Sequence, residues 1–184
     1  CSFGGSATGI APVYVAPPSG IYAEFCRTGL NIILNDFSLV KDSVLVPNQG
    51  TCSVTDVNYK ITNLTHSYDG DVSMYAQHLN VGSKIVNRVG GGGANFINTV
   101  LNDSGLTPIA SGIAPFTGTF RPSNPLTGFN SQPPEGYWKL VLTDTASGDT
   151  GVLTAWCIQV TFTCPVGGVQ TLEIPNYYSL SQNY

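Results

Sequence analysis

Charge is what this sequence has least of. Of 184 residues only 7 are Lys or Arg and 11 are Asp or Glu, a charged fraction of 10% against the roughly 25% usual for soluble domains. The basic residues form no cluster and the formal net charge is -4, which excludes a nucleic-acid surface and a polybasic membrane patch. No apolar run approaches the ~18 residues of a membrane-spanning helix, so no transmembrane segment is expected. No basic stretch followed by an apolar one opens the chain, which therefore reads as mature. Sustained helical periodicity is missing as well, and the 21 Gly and 12 Pro residues break helices and serve turns, so helical bundles and coiled coils are excluded. Imidazole is scarce, with His66 and His78 alone, and no G-x-S-x-G elbow is present; hydrolytic chemistry that needs a nucleophile beside a base has little to draw on. The expectation is a protein that is not an enzyme.

What is present is alternation. Val57, Tyr59 and Ile61 share one face, as do Val72, Met74 and Ala76, and Trp138, Leu140 and Leu142; the sharpest case is Trp156, Ile158, Val160 and Phe162, with Cys157, Gln159 and Thr161 opposite. Period 2 with one apolar face predicts half-buried strands. Weaker strand patterns cover 31–34, 37–40, 43–46 and 84–88. Many strands joined by turns predict an all-β chain folded as a two-sheet sandwich or jelly roll. The organisation predicted is an extended arm over 1–30, a sandwich over 31–164 and an extended tail over 165–184. Both ends are almost uncharged. The run Ile10-Ala11-Pro12-Val13-Tyr14-Val15 is apolar and broken by proline, as an edge strand or arm is, while Val169 to Ile174 alternates before a Tyr-rich tail.

Five cysteines, Cys1, Cys26, Cys52, Cys157 and Cys164, lack C-x-x-C spacing, which favours disulfides in an oxidising compartment, secreted or at the cell surface. Cys157 is opposite in parity to Trp156, and Cys52 shares parity with Asp56 and Asn58, so both are placed on an outer face. Because first and last strands of a jelly roll are commonly neighbours, the pairing expected is Cys52 with Cys157 and Cys26 with Cys164. Cys1 is left over as a lipid anchor, a bridge to another subunit or a free thiol. Asn63-Leu64-Thr65 and Asn102-Asp103-Ser104 fit the glycosylation acceptor. Asp69 and Asp71, Asp103, and Asp144 with Asp149 sit in turn-like segments and offer hard oxygens to a calcium ion.

From about Asn31 to Phe162 the order of motifs resembles the P domain, or Homo B domain, of subtilisin-like proprotein convertases and bacterial secreted proteins. The resemblance is carried by Thr55-Asp56-Val57-Asn58-Tyr59 leading into His66-Ser67-Tyr68-Asp69-Gly70-Asp71-Val72. It continues through Val89-Gly90-Gly91 with Asn95-Phe96, Phe116-Thr117-Gly118-Thr119-Phe120-Arg121-Pro122, Gly136-Tyr137-Trp138, and Thr143-Asp144 to Trp156. It implies a jelly-roll sandwich of about eight antiparallel strands. It also implies a turn role for His66, whose ring is expected to bond loop backbone, and calcium bound through turn acids in some members. Ala94 stands where the family often has an acid. In convertases this domain supports a subtilisin-like catalytic domain, which these 184 residues do not contain, so the resemblance carries architecture further than activity.

The function expected is a secreted structural subunit of an extracellular filament. A terminal strand, with Ile10, Val13 and Val15 as the donated residues or Val169 to Ile174 as the second choice, would complete the sandwich of another copy. The alternatives are a cell-surface adhesion module using loops at Gly90 to Phe96 and Arg121 to Phe129 on a glycan or protein, and a stabilising P domain released from a larger secreted protease.

Overall fold

The computed structural model describes residues 20–165. Cys1, Ile10, Val13, Val15 and the 169–174 segment lie outside the described residues. The strands are β1 (Ile21–Arg27), β2 (Ile32–Leu34), β3 (Leu39–Val46), β4 (Ser53–His66), β5 (Val72–His78), β6 (Val81–Asn87), β7 (Phe96–Leu101), β8 (Phe116–Phe120), β9 (Gly136–Asp144) and β10 (Gly151–Thr163), with three single-turn 3-10 segments and no α-helix among the described residues. They form two sheets. The larger runs β1-β10-β4-β7-β8, with β2 also on β10; the smaller runs β3-β9-β5-β6. The all-β sandwich expected from alternation is the fold. Among the described residues, no helix is long and apolar enough to cross a membrane.

The alternation is realised residue by residue. Trp156, Ile158 and Val160 on β10, Tyr59 and Ile61 on β4, and Met74, Ala76 and Trp138 on the opposing sheet are all fully buried. Strand-face periodicity therefore sets which residues meet between the sheets. Burying Trp138, Trp156, Phe96, Phe116 and Phe129 supplies a large share of the apolar area that holds two sheets together.

Three details differ from expectation. There are ten strands rather than about eight: β1, β7 and β8 are added, the last two without clean alternation, and the segments 37–40 and 43–46 form a single strand, β3. β7 and β8 run parallel, Phe96 opposite Phe116 and Leu101 opposite Phe120; a long connection through a 3-10 turn at Ile109–Ser111 makes that crossover possible. And the segment given to the arm contributes β1, whose Ala23 and Phe25 pack against the core, so the sandwich begins at Ile21 rather than at residue 31.

The disulfides are Cys26–Cys157 and Cys52–Cys164, which exchanges the partners expected for the same four cysteines. The reason is a β-bulge. β4 pairs Asp56 with Thr161 but Val54 with Phe162, so Thr55 is an extra residue and parity inverts across it. Cys52 therefore shares the inward face of Val54 rather than the outward face of Asp56, and is 5% exposed. It meets Cys164 just past the end of β10. Cys26 of β1 stands directly opposite Cys157, with Cα atoms 4.0 Å apart. Sequence separations of 131 and 112 residues make each bridge worth about 5 kcal/mol by loop closure.

A polar tie crosses the two sheets beside Cys26. Asp42 of β3 accepts from Trp156 Nε1 at 2.8 Å and from Arg27 Nε and Nη2 at 3.1 and 3.2 Å. Burial pushes the Asp42 carboxyl up, but the bonds from Arg27, Trp156 and the Ser43 N–H outweigh it and hold it below its ordinary value.

Peptide mapping of the non-reduced chain should recover Cys26 linked to Cys157 and Cys52 linked to Cys164. Cys52→Ala with Cys164→Ala should lower unfolding free energy by roughly 3–5 kcal/mol. A Cys52–Cys157 peptide would contradict the register described.

Candidate functional site

Four of the residues singled out from sequence, His66, Asp69, Asp71 and Asp144, lie at one end of the sandwich. β4 ends at His66, the next turn carries Asp69–Asp71, β9 ends at Asp144, and the glycine run joining β6 to β7 wraps over them. Its close approach demands glycine. Gly70 N–H donates to Gly91 O at 2.8 Å and Asp69 N–H to Gly93 O at 2.8 Å. Gly90 has φ +87, and a Cβ there would lie 2.7 Å from the Phe116 ring. The glycine run is thus a wrapping connection that holds backbone.

His66 is the hub. Its backbone N–H donates to Asn95 Oδ1 at 3.0 Å, its Nδ1 lies 2.9 Å from Tyr68 O and 3.2 Å from Tyr68 N, and its Nε2 is 3.1 Å from Asp144 Oδ2. Both the His66 and Asp144 side chains are completely buried. Asp144 Oδ1 accepts from Ala146 N–H, so the pair is saturated. Asp69 is also fully buried. Its Oδ1 accepts from Asn95 N–H at 2.9 Å, while its Oδ2 has no partner. Burial pushes the Asp69 carboxyl up to about 6, against the Asn95 N–H and the nearby His66, which favour the ionised form.

Beside this network lies an open, shallow depression of about 350 Å³ lined by Thr65–Ser67, Ala94–Asn95 and Thr150–Val152. Thr65 and Ser67 flank His66 in sequence, yet Ser67 Oγ donates to Asp149 Oδ1 at 2.7 Å and Thr65 Oγ1 to Val152 O at 3.4 Å. Among the described residues, no hydroxyl or thiol bonds to either imidazole. His78, at the end of β5, is fully buried, stacks on Trp138 at 3.8 Å and places its ring nitrogens 3.2 and 2.8 Å from Tyr137 O and Pro133 O. Both imidazoles hold backbone in place.

The five candidate calcium ligands do not converge. Asp103 accepts from the Leu126 and Thr127 amides with both oxygens, Asp71 Oδ1 lies 3.5 Å from Arg88, and Asp144 and Asp149 are engaged as described. Among the described residues, Glu24 with Cys26 and Cys157 is the one group of three or more His, Cys, Asp or Glu whose ligand atoms lie within 4.8 Å of one another, and its sulfurs are spent in a disulfide. A calcium cage needs six to eight oxygens; at least one oxygen of each of these carboxylates is engaged by a protein donor or cation, and Asp69 Oδ2 is buried without a partner. Asn63, in mid-strand, donates from Nδ2 to Thr154 Oγ1 at 2.7 Å. Asn102 opens a turn and accepts from the Ser104 N–H and Oγ.

Of the loops named as adhesion candidates, Gly90 to Phe96 wraps Asp69, and Arg121 to Phe129 is anchored by the buried Leu126 and Phe129 while Arg121, Ser123–Pro125, Thr127 and Gly128 are exposed. Sequence reasoning missed the central role of Asn95, which has φ 80; its place between a glycine run and a strand, where Asn tolerates the left-handed region, was the available signal.

No protein-family model matches the chain, and no curated protein matches it. Among solved structures it is similar to one described as the crystal structure of the Aeromonas sobria serine protease and chaperone (ORF2) complex, with 14% identity and a TM-score of 0.44. The match covers 83% of this chain and 28% of that chain.

A carboxyl whose folded-state pKa is raised contributes stability below its ordinary value of 3.8, and that stability is lost as pH rises through about 6. Asp69→Asn should therefore raise the melting temperature at pH 8 and leave it unchanged at pH 4. The same scans with calcium and with chelator test the orphaned oxygen: an ion bound at Asp69 would make the substitution destabilising at pH 8 and would make the parent melt lower in chelator.

Proposed function

We propose that this chain is a secreted, non-enzymatic structural subunit that assembles into an extracellular filament by lending a terminal strand to another copy. The observation that carries this reading is where the two flanking segments attach. Gly20 sits against Thr161, and Ser53 pairs with Thr163, so Gly20 and Pro165, the described residues to which 1–19 and 166–184 are joined, both lie at the end of the sandwich opposite His66. Together they carry one charged side chain, Glu173. Segments so poor in charge are better suited to burial against protein than to solvation.

Two further points support it. The imidazoles are occupied with backbone and carboxylate rather than with a nucleophile, which supports a non-enzymatic reading. The paired disulfides suit an oxidising exterior, where two long-range bridges keep the sandwich intact while its ends engage a neighbour. Copies of the chain itself are the partners in this reading, and surface glycans or a parent protease belong to the alternatives. The P-domain resemblance favours the protease alternative, and the two separate experimentally.

Concentrated full-length chain, kept oxidised, should form species far above 19.4 kDa in sedimentation velocity and appear as fibres in electron micrographs. A chain that stays monomeric at every concentration, or that binds a subtilisin-like protease and never itself, would overturn the filament reading.

A further inference from the structure

The two sheets end in four edges, one of them shared by β1 and the uncharged three-residue β2, and among the longer edge strands one differs from the rest. β1 carries Glu24 and Arg27 and β3 carries Lys41 and Asp42, the charges by which edge strands resist pairing. The edge of β6 is covered, since Ser123 and Asn124 N–H donate to Ile85 and Lys84 carbonyls. β8, Phe116-Thr117-Gly118-Thr119-Phe120, has no charge, and Asp103 is the one charged residue between Val89 and Phe120.

The open groups of β8 can be named. Phe116 N–H donates to Asn95 O, Phe116 O accepts from Thr99 Oγ1, and Phe120 O accepts from Asn102 N–H, so these residues turn their backbone groups towards β7. Backbone polar groups alternate along a strand; those of Thr117 and Thr119 therefore point away from the sheet. Arg121, next on that side, is paired with the 107–109 segment through Thr107 O and Ile109 N–H. That pairing closes one end of the edge and leaves Thr117 and Thr119, both exposed, without a backbone partner among the described residues. Leu106 and Ile113, the most exposed large apolar side chains described at 95% and 85%, both belong to the β7–β8 connection.

We infer that the β8 edge at Thr117 and Thr119 is the acceptor for residues 10–15 of a second copy, added as a further strand with Leu106 and Ile113 beside it. This deepens the filament reading and rests on it. The donor Ile-Ala-Pro-Val-Tyr-Val is uncharged and about as long as β8. Pro12 has no N–H, and placing it on the outer side turns the backbone groups of Ala11, Val13 and Val15 towards β8. Reach excludes the chain's own edge. A strand added outside β8 lies five strand spacings from β1, about 24 Å at ~4.8 Å each. The five residues from Val15 to Gly20 span at most about 18 Å. β8 also begins towards the His66 end, with Phe96, its neighbour, opposite Leu64, which lengthens the path further. A donor on one surface and an acceptor on another make a heterologous contact, which repeats head to tail.

The test uses full-length chains in a Cys1→Ser background. One population carries Val13→Cys and the other Thr119→Cys or, on the β3 edge, Ser43→Cys, and the mixtures are joined with a short bismaleimide. The Thr119 mixture should give a covalent heterodimer at least tenfold more abundantly than the Ser43 mixture. Thr119→Pro, which removes an N–H that has no partner, should abolish assembly while leaving the melting temperature nearly unchanged. Assembly with cross-linking equal at both edges, or undiminished by Thr119→Pro, overturns the β8 assignment and leaves the filament reading standing. Failure of the parent chain to assemble overturns both.

Discussion

Everything in this sandwich is hung on β10. It is bonded on both edges, to β4 along its length and to β1 and β2 on the other side. Trp156, Ile158, Val160 and Phe162 form its buried face. Cys157 bridges it to β1, and Cys164, one residue beyond its end, bridges it to the start of β4. A central strand with one apolar face and two covalent ties cannot shift register without moving a whole row of side chains out of the core. The points from which the flanking segments depart are consequently fixed, and this matters for any function those segments have.

The opposite end is held by polar bonds instead. His66, Asn95, Asp144 and Asp69 join β4, the glycine connection and β9 through buried hydrogen bonds, each strong in a dry surrounding and costly if broken. Asp69 is the weak member, since its second oxygen is buried with nothing to bond. The two tied carboxyls respond to pH in opposite senses. Asp42, held low by Arg27 and Trp156, loses its contribution as pH falls, and Asp69, raised by burial, loses its contribution as pH rises.

Much of the core was legible from alternation alone: the inward faces of β4, β5, β9 and β10 are the residues that period 2 selects. What was not legible has identifiable causes. One extra residue at Thr55 inverts parity, and with it the cysteine pairing. β7 escaped because Asn98 adopts φ 50 within Phe96–Leu101, which breaks the alternation. β8 escaped because its Thr-Gly-Thr centre has no apolar residue to set a face. At the His66 end, the turn role of the histidine followed from the motif. Its partner Asp144 lies 78 residues away, and no local pattern joins the two. The acceptor edge was invisible for a different reason, since an unpaired backbone group is a property of topology and leaves no mark on residue type beyond missing charge.

Low charge thus has a structural distribution as well as a count. It falls on the segments leaving one end of the sandwich and on the β7–β8 region, the two surfaces brought together in the proposed assembly. A helical reconstruction of the assembled full-length chain tests this most directly. The account expects an additional strand from a neighbouring copy beside Thr117 and Thr119, with β1 still bridged to β10 in its own subunit. Filaments in which β8 remains an open edge, or in which β1 itself has crossed to the neighbour, would contradict it.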